Sequence, residues 1–438
     1  MMHISENYSL TLIAMTCMTL AGCSRDAAPG PSMWAINIGG GAYRAVDGVN
    51  YEADDGHASG TVATLEGIKG SQDGFLYESY RHGEVSIARS MPNGTYDVTL
   101  HFAEPDEVTG GTRVFDAIIE GNVAIDDLDV MSWRDGKTRS ALTVTVPDVV
   151  LGDGELNIEF AATAMQPVLS AVLVRPAIRQ ERDLKLVWSD EFDTFDTTLW
   201  NIDIWPARVV NDEDQAYTDS PRNLRVENGY LVIEAHKESL DDAEYTSARI
   251  HSRGKGDILY GRVEVRARLP RGMGTWPAIW MLPSDPFRYA TRCQEGDKWQ
   301  GSADCDAWPN SGEIDIMEHV GYQMNHVHGT VHNEAYYWAK WEQRKGRVLL
   351  DDVDTGFHVY ALEWSEDRID VFVDDTLYFT YVNEGDGWRS WPYDHPFHLI
   401  LNVAVGGMWG RAGGGIDDSV FPQRMLVDYV RVYEFVQD

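Results

Sequence analysis

In the run Ser311-Gly312-Glu313-Ile314-Asp315-Ile316-Met317-Glu318-His319-Val320, acidic and aliphatic residues alternate with the two-residue period of a β-strand. The isoleucines face a core, and Glu313 and Asp315 share the opposite face. Strict alternation would turn Glu318 inward, an unpartnered carboxylate in an apolar layer at a cost of several kcal/mol. A β-bulge at Ile316-Met317 absorbs one residue and returns Glu318 to the open face. The segment therefore calls for a sheet with an apolar back and an acidic front. Two glutamates on one face with an aspartate between them suit a retaining glycosidase, whose carboxyl groups stand about 5–5.5 Å apart. One must be ionised to attack the anomeric carbon, and the other protonated to help the leaving oxygen depart. A solvated acidic edge strand or a calcium cluster fits the spacing equally well.

The rest of the 438-residue chain is consistent with sheets. Residues 34–178 carry short β-like runs such as WAINIGG, TYDVTLHFAE, SALTVTV and ELNIEFAA, broken by turn signals, and predict a β-sandwich. Residues 184–438 carry a second series, including YLVIEAH, RVEVRARLP, AIWMLP, RIDVFVDD and HLILNVAV, and predict a two-sheet jelly roll whose curved face cradles a long polymer. The fold class is all-β, with no helical stretch of note. Gln180-Glu181-Arg182-Asp183 reads as a charged hinge; a first module that binds the substrate polymer would concentrate it near the second without affecting turnover of short soluble oligosaccharides, and one that does not bind is a spacer. Forty glycines suit the turns, and the 11% of aromatic residues suit both packed cores and the faces of sugars. With 36 lysines and arginines against 70 acidic residues, the net charge of −34 argues against nucleic acid as a partner and against basic adhesion to anionic lipid.

Residues 9–22 form one apolar run too short to span a bilayer, ending in Leu20-Ala21-Gly22-Cys23. That ending resembles the lipobox of bacterial lipoproteins, although MMHISENY before it has no lysine or arginine. The resemblance implies a signal peptide over 1–23, lipid on Cys23, a tether over 24–33 and an exported protein at the bacterial outer membrane or cell surface. Several acyl chains anchor durably, so contact with a membrane is expected only through that lipid. Once Cys17 leaves with the signal and Cys23 is acylated, Cys293 and Cys305 remain in a compartment that favours oxidation, and a disulfide is expected between them. No zinc-ligand spacing accompanies them.

Ile36-Asn37-Ile38-Gly39-Gly40, Tyr51, LYESYR (76–81), YDVTLHFAE (96–104) and VFDAIIEGN (114–122) resemble the malectin-like carbohydrate-binding modules. Pro105-Asp106-Glu107 stands where that family often has sugar-stacking aromatics, and Gln166-Pro167-Val168-Leu169 lacks its late aspartate. Tyr51, Tyr77 and Tyr80 are left either as sugar-stacking rings or as packed sandwich tyrosines.

Glu-Ile-Asp-Ile-Met-Glu resembles the active-site strand of glycoside hydrolase family 16, in its laminarinase-like β-1,3-glucanase branch. The resemblance extends over about 184–438 through WSDEFD, NDEDQAYT, NLRVENGYLVIEA, ARIHSRGK, YGRVEVRARLPRG, GTWPAIWMLP, HGTVH, LEW, LNVAVGG and FPQRMLVDYVRVYE, in family order. It implies a concanavalin-like jelly roll and retaining, endo-acting cleavage of β-1,3-glucosidic bonds in laminarin-type glucans. Glu313 is then nucleophile, Glu318 acid/base, and Asp315 the residue that hydrogen-bonds the nucleophile. It further places Asn211, Arg249, Trp276 and Trp280 around glucose units on the nonreducing side, His332 near the acid/base and Trp409 at the substrate. Trp299 and Trp308, in the long segment 284–310, either extend the binding surface or pack the stapled loop. No cofactor is implied for catalysis. A structural calcium at Glu191, Gly229 and Asp428 is implied, bound partly by backbone carbonyls on the convex side, with oxygen-only ligation. The expected partner is a β-glucan polysaccharide and the chain is expected to be a monomer. Alternatives are a noncatalytic β-glucan-binding or sensing protein, or the same fold acting on mixed-linkage glucan or a marine galactan.

Overall fold

The computed structural model describes residues 33–46, 48–134, 136–177, 182–340 and 343–436. The lipobox with Cys23, most of the tether, and Gln180 and Glu181 of the hinge lie outside the described residues. Among the described residues, no helix is long and apolar enough to cross a membrane.

Gly94–Phe102 is central to the N-terminal sandwich. It lies between Leu142–Leu151 and Ala171–Pro176 in a six-stranded sheet that is completed by Trp34–Asn37, Asn50–Ala53 and Tyr43–Arg44. Alternate residues Tyr96, Val98, Leu100 and Phe102 are fully buried against Phe115, Leu156 and Ile158 of a four-stranded sheet. The other face of the first sheet is covered as well, so Asp97 and His101 are also buried. On that side Tyr51 and Tyr77 are core residues, 4% and 2% exposed. Their hydroxyls meet the two ring nitrogens of His101, Nε2 at 3.3 Å and Nδ1 at 2.9 Å. For Tyr51 and Tyr77 the packed reading holds, and neither ring presents a face to a sugar, while Tyr80 is half-buried against the same cores.

The C-terminal unit has its own core, in which two sheets pack face to face. The seven-stranded sheet consists of β1 (Asn201–Ile202), β2 (Arg249–His251), β3 (Thr275–Pro283), β4 (Glu313–Glu318), β5 (His326–His332), β6 (Arg344–Leu349) and β7 (Phe397–Val405), in the spatial order β1-β2-β7-β3-β4-β5-β6. Its neighbours are antiparallel. Ile279 and Met281 of β3 and Ile314, Ile316 and Met317 of β4 fill the space against Val263, Val265 and Leu362 of the second sheet. The acidic strand is thus central, and the edge-strand reading is excluded.

The two units touch. Leu142–Leu151 lies against β6 and against Thr376–Val382 of the second sheet. The Arg347 guanidinium sits 4.1 Å from the ring centre of Trp133, and Arg368 lies 3.7 Å from Asp97. The first unit is therefore packed against the second as well as joined to it through the chain.

Candidate active site

Strand β3 shows why one face becomes a binding surface. Its core face carries Ile279 and Met281, and its other face carries Trp276, Ala278, Trp280 and Leu282, all of which line a cleft of about 810 Å³. The next strand, β4, forms the catalytic floor. Across β4 and β5, Asp315 pairs with Thr330 and Glu318 with His328, so three steps on one strand match two on the other. The expected bulge at Ile316-Met317 is there, with Ile316 and Met317 fully buried and Glu318 on the cleft side.

A bulge leaves backbone groups out of the ladder. Here the Tyr378 hydroxyl, rising from the second sheet, donates to the Ile316 carbonyl at 2.5 Å. Gly329 and Gly346, paired across β5 and β6, give that tyrosine its room. A Cβ on Gly329 would lie 3.0 Å from the Tyr378 ring, and one on Gly346 2.2 Å from its backbone oxygen.

Each glutamate accepts a hydrogen bond from an indole. Trp308 Nε1 donates to Glu313 Oε2 at 2.9 Å, and Trp276 Nε1 donates to Glu318 Oε1 at 3.1 Å. Burial, then repulsion from Glu318, pushes the Glu313 carboxyl up to about 8, while the Trp308 bond and Arg249 act in the other direction. Burial raises Glu318 to about 7 against the Trp276 bond and the positive charge of Lys345. Asp315 is 2% exposed, and burial followed by the two glutamate charges raises it well above the ordinary carboxylate range. A trio so arranged keeps protons at neutral pH, and Asp315, whose burial and neighbouring charges all raise it, is the member best placed to hold one.

The structure brings Asn211, Arg249, Trp276, Trp280, Glu313, Asp315, Glu318, His332 and Trp409 to this one cleft. Arg249 is 3% exposed, held 2.9 Å from Asp203, with its guanidinium 4.5 Å from the Trp205 ring centre and 4.8 Å from that of Trp280. The rings of Trp276 and Trp409 meet edge to face at 5.6 Å. Both open tryptophans of the long loop, Trp299 and Trp308, line the cleft. The loop is stapled by the expected Cys293–Cys305 disulfide, Cα–Cα 5.1 Å, worth roughly 3 kcal/mol in the chain-entropy view.

One expectation is corrected. His332 does not stand at Glu318. The register pairs it with Glu313, and its Nε2 lies 3.5 Å from Asp315 and 3.8 Å from Glu313, while the bulge sets His328 opposite Glu318. Burial lowers His332 to about 3, so the ring is neutral. At the calcium positions, both Glu191 carboxylate oxygens accept from Arg431 at 2.9 Å, Asp428 is bound by Arg266, and Gly229 (φ +78°) closes an Asn-Gly hairpin turn, so an ion there would be held through the backbone carbonyls.

Sequence reading passed over Glu213, Tyr217 and Asn402. Glu213 accepts from Asn211 (3.2 Å), Gln215 (2.7 Å) and Tyr217 (3.1 Å), Tyr217 accepts from Asn402 (3.1 Å), and Trp280 Nε1 donates to Asn402 (2.7 Å). This buried network fixes Asn211 and Trp280 from behind. Glu213, Tyr217 and Asn402 lie inside the NDEDQAYT and LNVAVGG motifs, which was their only signal.

The family model for Glycosyl hydrolases family 16 matches residues 211–431, and the Malectin domain model matches 32–172. A protein named "Beta-glucanase" from Rhodothermus marinus is 49% identical over 262 residues, covering 58% of this chain and 86% of that protein. The solved structure of the laminarinase from Rhodothermus marinus superposes with a TM-score of 0.53 at 47% identity, over 59% of this chain and 100% of that one. A structure titled as a non-specific endo-β-1,3(4)-glucanase from family GH16, with 1,3-β-D-cellobiosyl-glucose at its active site, gives 0.51 at 41% identity, over 57% and 95%.

Proposed function

Because the chain belongs to glycosyl hydrolase family 16, it is a glycoside hydrolase, and we propose that it cuts internal β-1,3-glucosidic bonds of a laminarin-type glucan with retention. The observation that carries this reading is the glutamate pair on a bulged strand, each carboxyl tied to an indole, at the floor of a tryptophan-lined cleft. Glu313 is the nucleophile by its place at the start of the family motif; the Trp308 N–H and the Arg249 charge favour its anion against the burial and the Glu318 repulsion that raise it. It attacks the anomeric carbon as Glu318 gives its proton to the leaving oxygen. Glu318 then takes a proton from water, whose oxygen displaces Glu313 and completes retention. A protonated Asp315 steadies the Glu313 anion between attacks. Trp276, Trp280 and Trp409 offer apolar faces to pyranose rings, and Asn211 and Arg249 offer hydroxyl partners.

A polysaccharide panel tests the assignment. On laminarin, viscosity is expected to fall faster than reducing ends appear, and NMR is expected to show the β-anomer first. Absence of hydrolysis, or an α-anomer as first product, overturns the reading. Mixed-linkage glucan belongs in the panel because a matched relative is titled a β-1,3(4)-glucanase. We also propose export and a lipid anchor on Cys23, supported by the Leu20-Ala21-Gly22-Cys23 run. Labelled palmitate is expected to enter the wild-type protein and not Cys23→Ser; equal labelling of both overturns the anchor.

A further inference from the structure

The cleft continues past the catalytic sheet. Beyond β6, which ends the sheet on the side away from Arg249, the wall is built by the other domain: Ser132, Gly136 and Lys137 line the same cleft as Trp338, Gln343 and Lys345. An edge strand left bare would expose unpaired backbone, and the N-terminal sandwich covers it by laying Leu142–Leu151 beside β6. That packing carries the turn Val130–Trp133 to the end of the cleft.

The turn is firmly held. The Asp129 carboxylate accepts from the Ser132 N–H at 3.1 Å and from the Gly111 N–H at 2.6 Å. Trp133 is 4% exposed with the Arg347 guanidinium of β6 over it, and Arg134 Nε donates to Ser140 at 2.9 Å. A wall fixed this way loses little freedom when a ligand arrives, which is what a binding subsite needs. Its chemistry suits a neutral sugar: a hydroxyl that donates and accepts, an ammonium that donates, and at Gly136 (φ +75°) a backbone with no neighbour within 4 Å of a Cβ, open to close approach.

A glucan lying over Arg249, Trp280 and the glutamates, if extended across the strand order, passes over β5 and β6 and reaches this wall. We propose that the malectin domain forms the outer subsite of the catalytic cleft on the side of the scissile bond opposite Arg249, gripping a distal glucosyl unit of a β-glucan through Ser132 and Lys137. The proposal rests on the β-glucanase reading and assigns the domain a place in the cleft in addition to any tethering role.

The test is the chain-length dependence of kcat/KM from laminaritriose to laminariheptaose in the full-length protein. Lys137→Ala is expected to lower the ratio of the heptaose value to the triose value about 5- to 10-fold, the size of one ordinary hydrogen bond. Ser132→Trp, which fills the end of the cleft, is expected to lower the same ratio and to shift the bond cleaved in the heptaose. Because a defect in folding lowers all substrates together, the ratio separates the subsite from a structural role. Wild-type chain-length profiles in both variants overturn the proposal alone. A wild-type protein that cuts no β-1,3-glucan overturns the substrate reading and the proposal with it.

Discussion

Glu313→Ser is expected to lower hydrolysis of laminarin by on the order of 10⁴-fold or more, the scale seen when a covalent nucleophile is removed. The serine hydroxyl is too short to reach the anomeric carbon and lacks the charge that the Trp308 N–H and Arg249 are set to favour. The remaining site is otherwise intact, since Glu318 keeps its Trp276 bond and the bulge keeps its Tyr378 support. An activated α-glucosyl fluoride already has the anomeric configuration of the missing intermediate. The variant is therefore expected to condense it into oligosaccharide without hydrolysing the product. Residual hydrolysis above a few per cent of wild type would show that Glu313 is not the nucleophile.

Glu318→Ala is expected to cost about 10²- to 10⁴-fold on natural glucan and far less on aryl glycosides whose leaving groups depart without a proton. In the wild type the alkaline limb of kcat/KM is expected near pH 7, where burial has placed the Glu318 carboxyl, and that limb should disappear in the variant. The same shift affects folding. A carboxyl raised from 4.5 to about 7 holds its proton more tightly in the folded chain than in the unfolded one. Its favourable contribution is complete below the unfolded value and is lost as pH rises through about 7, amounting to roughly 3 kcal/mol. Glu318→Gln removes this dependence. Relative to wild type it should therefore be more stable at about pH 8 than at about pH 5, as read by denaturant unfolding at both. Equal differences at the two pH values, or retained activity on laminarin, would remove Glu318 from its role.

What the sequence by itself determined is local. The two-residue alternation in Glu313–Glu318 and Trp276–Leu282 carries strand, face and bulge together, because side chains on a strand can point only two ways. Hence all the cleft residues expected from sequence do meet in one cleft. The tertiary structure decided what depends on partners distant in the chain. The hydroxyl that satisfies the bulge comes from Tyr378, 62 residues after Ile316, and needs Gly329 and Gly346 to admit it. The register fixed by the bulge moved His332 from Glu318 to Glu313. Arg431, 240 positions from Glu191, engages a carboxylate whose partner nothing local in the sequence announces. Tyr51 and Tyr77 look like sugar platforms until His101 and the covering of the sheet's second face bury them. The carboxyl protonation and the joining of two domains into one cleft wall follow the same rule. Both depend on which surfaces lose water to each other, and periodicity along a chain carries no record of that.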